Sequence, residues 1–342
     1  MSFLVRQNET FKIVESSNYN YIFNKANGFL MRWGKTQKDD PDWSPWGPEL
    51  LDCELSSGRC SGGCRFCYKE NGPNHQQTKN MTLDQFKIIL QKIPKTLTQI
   101  AFGLCDVNTN PDMWKIFEYT RSQGIIPNYT ANGFGIDDKI AKDTADLCGA
   151  VAVSIVNKQT SLEAIQRFIE NGCKQVNIHY MLSKQTYEKA FELVDEIKNI
   201  KGFQAIVFLQ YKPKGRNKDK FNSVLNPILY RKLIDYCEIN NVSYGFDSCS
   251  CWIFLTSIKD KPNIDQLKML CEPCESGLFS SYINCDGIFF PCSFLEGEGE
   301  WKEGLDLIHC KDFIKDIWLH PRTVEWRKKL IDNQRRCPYY DI

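Results

Sequence analysis

Arg59-Cys60-Ser61-Gly62-Gly63-Cys64-Arg65-Phe66-Cys67-Tyr68 places three cysteines within eight residues, in the spacing Cys60-x3-Cys64-x2-Cys67. Three thiolates are one short of a closed tetrahedral metal site. Gly62 and Gly63 let the backbone turn tightly and approach a bulky inorganic core. Thiolates are the ligands of iron–sulfur cubanes, and three of them leave one iron of a [4Fe–4S] cube free to hold a cofactor or substrate. A zinc-binding loop with its fourth ligand elsewhere is the other reading of the spacing.

The surroundings of the stretch narrow the choice. Apolar runs of strand length occur at Leu50–Leu55, Gln99–Leu104, Ile125–Thr130, Ala150–Val156, Gln175–Met181, Phe203–Tyr211 and Val242–Phe246. Helical patterns lie between them at Thr82–Ile93, Pro111–Gln123, Asp137–Cys148, Ser161–Glu170, Thr186–Ile200 and Pro227–Asn240. Thr82-Leu83-Asp84-Gln85 has capping-box spacing. Repeated β-α units predict a parallel sheet with helical crossovers, an α/β fold. Six or seven units are too few for an eight-fold barrel, so the expectation is a partial, open (β/α)6-type barrel over residues 50–250. Its chemistry would gather at the carboxyl ends of the strands. The three cysteines lie just beyond the first strand, at that end.

Residues 1–49 read as an irregular extension with one hairpin, turning at Ala26-Asn27-Gly28. Asp40–Pro48 is a Pro- and Trp-rich loop whose tryptophans read as packing. After residue 250 the alternation fails. Gly, Pro, Cys and aromatics dominate residues 251–342, as in a small loop-rich domain held by a metal centre.

Of the 342 residues, 42% are hydrophobic and 25% charged, and 43 Lys+Arg against 42 Asp+Glu leave a net charge of +1. No global field favours nucleic acid or an anionic membrane. No apolar run approaches the about 20 residues of a membrane span. The start, MSFLVRQNETFK, lacks the pattern of a secretion signal, so the expected location is cytoplasmic. Sixteen cysteines in such a chain suggest reduced thiols and metal ligation rather than disulfides.

Cys-x3-Cys-x-aromatic-Cys after the first strand of a partial β/α barrel, with Phe66 at the aromatic position, resembles the radical S-adenosylmethionine (radical SAM) superfamily. The resemblance extends over most of residues 50–340. It implies a [4Fe–4S] cluster on Cys60, Cys64 and Cys67 that binds S-adenosylmethionine (SAM). It implies reductive cleavage of SAM to methionine and a 5′-deoxyadenosyl radical, which abstracts hydrogen from a substrate. It also implies an electron donor such as flavodoxin or ferredoxin. Phe66 and Tyr68 flank the cofactor by their place in the motif. The second strand often ends in Gly-Gly-Glu in this superfamily. Here Phe102-Gly103-Leu104-Cys105-Asp106 departs from it, with Asp106 the candidate acceptor for the SAM ammonium. Asn132, in Thr130-Ala131-Asn132-Gly133, resembles the residue after the third strand. Ser154, Asn177 and His179 fall where the fourth and fifth strands present polar groups to SAM; a satisfied core histidine is the alternative for His179. Leu209–Arg216, with Tyr211 and Arg216, resembles a sixth-strand segment that contacts SAM.

A second cysteine field follows. Cys271-Glu272-Pro273-Cys274 precedes a Gly287-x4-Cys292 stretch, and twelve residues separate Cys274 from Gly287. This is similar to the opening of SPASM and twitch domains, which carry auxiliary iron–sulfur clusters in radical SAM enzymes. Asp286-Gly287 reads as a hairpin turn. Only Cys310 and Cys337 remain after Cys292, too few for two fully ligated clusters. The expectation is one auxiliary [4Fe–4S] cluster on Cys271, Cys274, Cys292 and Cys337, with Cys310 the competing fourth ligand. A zinc ribbon is the other reading, because spacing alone does not separate zinc from iron–sulfur. Cys285 reads as structural, and Cys53, Cys148, Cys173 and Cys237 as core. Cys105, Cys249 and Cys251 are candidate hydrogen donors or substrate contacts, or inert buried thiols.

The function the resemblance implies is radical modification or oxidation of a peptide or protein side chain. The alternatives are oxidation or rearrangement of a small molecule or nucleotide, and, outside catalysis, an iron–sulfur electron carrier or zinc-stabilised binding module.

Overall fold

The computed structural model describes residues 2–340 and residue 342. The first four strands, β1 (Leu4–Gln7), β2 (Phe11–Glu15), β3 (Asn20–Asn24) and β4 (Leu30–Trp33), form an antiparallel sheet in sequence order. The β3–β4 hairpin turns through Asn27 and Gly28 as expected, with Gly28 at φ +77°. Residues 4–15, read as irregular, form the other hairpin. Its turn is closed by Asn8, whose Oδ1 accepts from Thr10 N and Phe11 N. These strands are short, expose Leu4 and Phe11 and bury Lys12, so alternation alone does not reveal them.

Seven parallel strands make the barrel: β5 (Leu50–Glu54), β8 (Gln99–Gly103), β9 (Ile126–Ala131), β10 (Val151–Ser154), β11 (Val176–Leu182), β12 (Ala205–Gln210) and β13 (Tyr244–Phe246). Between β5 and β8 lies a small ribbon of β6 (Ser56–Gly58) and β7 (Thr78–Asn80). Six helices cross over: α1 (Leu83–Lys92), α2 (Met113–Ser122), α3 (Asp138–Leu147), α4 (Lys158–Glu170), α5 (Tyr187–Ile197) and α6 (Pro227–Ile239). This is the expected partial barrel. Local chemistry sets the helix starts. Thr82 and Gln85 form the capping box of α1, and Asp137, Asn157 and Asn226 cap α3, α4 and α6.

Each barrel strand shows two environments. In β11, Val176, Ile178, Tyr180 and Leu182 are buried against the helices, while Asn177, His179 and Met181 are half-buried. β12 repeats this, with Ile206, Phe208 and Gln210 buried and Ala205, Val207 and Leu209 half-buried. Successive side chains on a strand point to opposite faces, so the half-buried set faces the barrel axis. The axis-facing set mixes the polar Asn177 and His179 with Met181, Val207 and Leu209, and none of these is fully buried.

The barrel sheet does not stop at residue 250. After α7 (Cys251–Ser257) and α8 (Ile264–Leu267), β14 (Ser280–Ile283) pairs parallel with β5, and β15 (Ile288–Phe290) and β16 (Leu305–Asp306) extend the sheet to ten strands. The C-terminal segment thus covers the open edge of the first barrel strand. The β14–β15 hairpin turns at Asp286-Gly287, with Gly287 at φ +76°. α9 (Pro321–Asp332) closes the chain onto the Trp-rich loop, where Arg327 lies 4.0 Å over Trp43 and Trp318 Nε1 donates to Ser44 O at 2.7 Å.

The N-terminal sheet docks at the opposite end from Cys60, where the strands begin. Lys12 Nζ donates to Leu97 O at 2.5 Å, Tyr21 Oη to Thr96 O, and Tyr19 Oη to Glu49. Arg32 pairs with Glu49 at 3.1 Å and Glu275 at 2.9 Å. Burial pushes the Lys12 ammonium down to about 7. Among the described residues no helix is long and apolar enough to cross a membrane.

Candidate cluster and cofactor site

The cysteine loop is tied down by backbone and side-chain contacts from the far side of the barrel. Cys60 N donates to Gly72 O at 3.2 Å, and Gly72 N to Gly58 O at 3.0 Å, closing the loop at its base. Arg216 spans it from the segment after β12. Its guanidinium donates to Cys64 O (3.0 Å), Glu70 O (2.8 Å) and Asn71 O (2.8 Å), and its backbone N donates to Cys67 O at 3.0 Å. Gly215 permits that approach, because a Cβ there would stand 2.4 Å from Cys67 O. Arg216, read as a SAM contact, therefore organises the cysteine loop.

Asp106 and Asn132 serve the same loop. Asp106 accepts from Ser61 N at 3.0 Å, from Ser61 Oγ at 2.8 Å and from Asn132 Nδ2 at 2.5 Å. Asn132 Nδ2 also reaches Cys60 Sγ at 3.4 Å and Cys105 O at 3.2 Å. Cys105 is buried, with its thiol hydrogen-bonded to Cys60 and 3.5 Å from Ser56 O. The hydrogen bond from Cys105 pulls the Cys60 thiol below its ordinary range, while Cys105 moves up. Burial and the neighbouring Cys67 and Cys60 push Cys64 up to about 12.

The residues fit the cofactor the spacing calls for. Three thiols sit within one another's electrostatic reach at the carboxyl end of β5. A Cβ at Gly62 would stand 3.4 Å from Cys60 Sγ, so glycine keeps the space inside the loop clear. Among the described residues no three His, Cys, Asp or Glu side chains converge tightly enough to hold a single metal ion.

The other cofactor candidates divide. Ser154 and His179 are register partners on β10 and β11 and, with Asn177, face the lumen. His179 is pushed down to about 4 by burial, against the pull of Asp247. Phe66 packs edge-on against Phe221, with ring centres 5.8 Å apart. Tyr211 does not join the site: it is buried, packs on Phe221 and donates to Lys218 O at 3.3 Å.

Tyr68 bridges the two cysteine fields. Its ring stacks on Phe294, centroid to centroid 4.3 Å, and Phe294 follows Cys292 by two residues. Beside this stack, Lys69 Nζ donates to Tyr282 Oη (2.9 Å) and pairs with Glu54 (3.0 Å) and Glu296. Asn284 Nδ2 donates to Glu296 at 2.8 Å. A groove of about 640 Å3 runs alongside, between β7 and the β14–β15 turn. On the other side of Phe294, Lys212 Nζ lies 4.2 Å from the ring centre and 3.0 Å from Asp247.

In the second field burial raises the thiols of Cys274 and Cys292, and the charge of Cys337 adds to both, as that of Cys274 does to Cys292. Cys249 shares that environment, with Cys274 and Cys292 among the charges that push it up after burial and Lys212 opposing them. Cys271 Sγ donates to Asp247 O at 3.4 Å and Cys251 Sγ to Cys271 O at 3.6 Å; Cys251, burial and then the charges of Asp247 and Cys249 raise the Cys271 thiol. Cys251 is fully buried beside it. Cys310 stands apart near Lys92, whose Nζ donates to Cys310 O at 2.5 Å. Cys285 lines the groove, 3.4 Å from Ser57 Oγ.

Residues 55–207 match the Radical SAM superfamily. The chain carries a radical SAM domain. A [4Fe–4S] cluster and SAM are the cofactors of that family, and when bound they supply a hydrogen-abstracting radical. In this radical SAM domain Cys60, Cys64 and Cys67 are the residues that would hold the cluster. Across nearly its whole length the chain is similar in fold to Streptococcus suis SuiB. The TM-score is 0.69 at 15% identity, covering 94% of this chain and 90% of that one. SuiB bound to precursor peptide SuiA gives 0.71 at 14% identity, covering 95% and 90%. anSMEcpe with bound SAM and a peptide gives 0.60 at 16% identity, covering 86% and 89%. The chain matches no curated protein.

Lys69, Lys212, Glu54, Glu296 and Asp52 escaped the sequence reading. The usable signal was the pair Asp52 and Glu54, two carboxylates two residues apart within a strand otherwise made of Leu50, Leu51 and Cys53.

Proposed function

We propose that this chain is a radical SAM enzyme that modifies a peptide or protein side chain and carries one auxiliary [4Fe–4S] cluster. The supporting observation is the placement of the two thiol groups on either side of the Tyr68–Phe294 stack. A cluster held by the second group would lie across that stack from the first. SuiB and anSMEcpe, similar in fold over most of the chain, are described with bound peptides, which favours a peptide over a small molecule or nucleotide. Cys274, Cys292 and Cys337 are three of the proposed ligands, Cys337 being preferred to Cys310, which stands apart near Lys92. Cys249 is the fourth in place of Cys271, because Cys249 shares the charge environment of Cys274 and Cys292 while Cys271 is turned to Asp247 O and Cys251.

Anaerobic reconstitution tests the reading. Two cubanes require about eight irons and eight sulfides per chain. Cys249→Ala should lose about half of that and Cys271→Ala should keep it. Zinc without sulfide would overturn the reading. The substrate class is tested by mass spectrometry of peptide and small-molecule pools after reaction with SAM and dithionite. A modified small molecule with no modified peptide would favour the alternative.

A further inference from the structure

Asp52 sits at the centre of β5, with its side chain on the lumen face. Leu51 and Cys53, its neighbours in sequence, are buried in the helix-facing core, while Asp52 is half-buried, as the lumen-facing residues of β11 and β12 are. Strand register places Ala101 beside it on β8 and Tyr282 beside it on β14. Ala101 offers no polar side chain, and the Tyr282 hydroxyl is already engaged by Lys69 and Glu296. The lumen cations are likewise committed. Lys69 is held by Glu54 and Glu296, Lys212 by Asp247, and Lys214 donates to Phe294 O and Glu296 O. Among the described residues Asp52 has no hydrogen-bond or ion-pair partner. Burial accordingly pushes its carboxyl up to about 6, with no compensating group.

A half-buried carboxylate without a partner is only partly solvated, and a counter-charge beside it restores what it lacks. The walls around it suit a cation. Tyr282 is its register neighbour, and Tyr68 is near enough for the Asp52 charge to raise its phenol. Aromatic faces beside a carboxylate attract an alkylammonium or guanidinium group.

We propose that Asp52 is a substrate-binding residue that receives a cationic group of the substrate, an alkylammonium or guanidinium on the side chain to be modified or next to it. This rests on the peptide-modifying reading and names the chemistry its substrate would present. The competing claimant for the carboxylate is the cofactor, since SAM itself carries an ammonium and a sulfonium.

The test uses the reconstituted protein with SAM bound and n-butylammonium as the probe, with n-butanol as the uncharged control. Equilibrium binding is measured for the wild type, Asp52→Asn and Asp52→Leu, after each variant is shown to melt cooperatively. The proposal expects n-butylammonium to bind the wild type at least tenfold more tightly than either variant. It expects n-butanol to show no such difference and SAM affinity to change less than twofold. Equal ammonium binding by wild type and Asp52→Asn overturns it. So does a tenfold loss of SAM affinity in Asp52→Asn, which assigns the carboxylate to the cofactor. A wild type that binds the ammonium but never cleaves SAM leaves the cation site standing and removes the enzymatic reading instead.

Discussion

Removing the Arg216 guanidinium should loosen the cysteine loop before any metal is added. In Arg216→Met three carbonyls lose a charged donor: Cys64 O, Glu70 O and Asn71 O. The Glu70 bond is exposed, so water replaces it at little cost. The other two are part-buried, and a bond to a charged donor contributes about 1.5–3 kcal/mol. Taking the lower figure for each gives about 3 kcal/mol, or roughly 100-fold in the population of the ordered loop. Hydrogen exchange on cluster-free protein reads this directly. The Cys60 amide, bonded to Gly72 O, and the Gly72 amide, bonded to Gly58 O, should lose about two decades of protection. Iron uptake should slow in parallel. Arg216→Lys should fall between, because one ammonium cannot fork to two carbonyls. Unchanged exchange at Cys60 and Gly72 in Arg216→Met would refute the claim that this side chain organises the loop.

Other consequences follow from the same contacts. Lys12 is depressed to about 7 in the fold against 10.5 in the unfolded chain, so between those values the unfolded state binds the extra proton and stability rises with pH. Denaturation between pH 7 and 9 should show a gain of about 2 kcal/mol from this group that Lys12→Met lacks. Cys105→Ala keeps the three motif thiols, so iron content at the first site should stay at the wild-type level. The lost hydrogen bond to Cys60 should lower that cluster's midpoint potential, read by EPR-monitored titration. Gly215→Ala combines φ +70° with a Cβ 2.4 Å from Cys67 O, and should destabilise the docked loop by about 3 kcal/mol and cut iron incorporation severalfold.

The barrel was legible because each strand and helix announces itself within a short window. Val176–Leu182 alternates buried apolar side chains with half-buried ones, and Thr82 with Gln85 forms the expected capping box. The turns at Gly28 and Gly287 were readable for the same local reason. The three ligand cysteines were legible because they are close in sequence. What was hidden depends on contacts between distant segments. Arg216 acts across about 150 residues on Cys64 O, and only the fold shows that it grips the cysteine loop. Asp106 and Asn132 meet over Cys60 for the same reason. The parallel pairing of β14 with β5 joins residues 280 and 50, so the C-terminal segment was read as separate when it extends the barrel sheet. Spacing favours Cys271, three residues before Cys274, and the claim of Cys249 arises only from the folded chain, where the charges of Cys274 and Cys292 reach it.

Cys60, Cys64 and Cys67 are proposed to hold a cluster with a site left for SAM. The direct measurement is 5′-deoxyadenosine released from SAM by the anaerobically reconstituted, dithionite-reduced protein. The account predicts release by the wild type and none by the variant with all three residues changed to alanine. Release by that triple variant, or a fully iron-loaded wild type that leaves SAM intact, would contradict it.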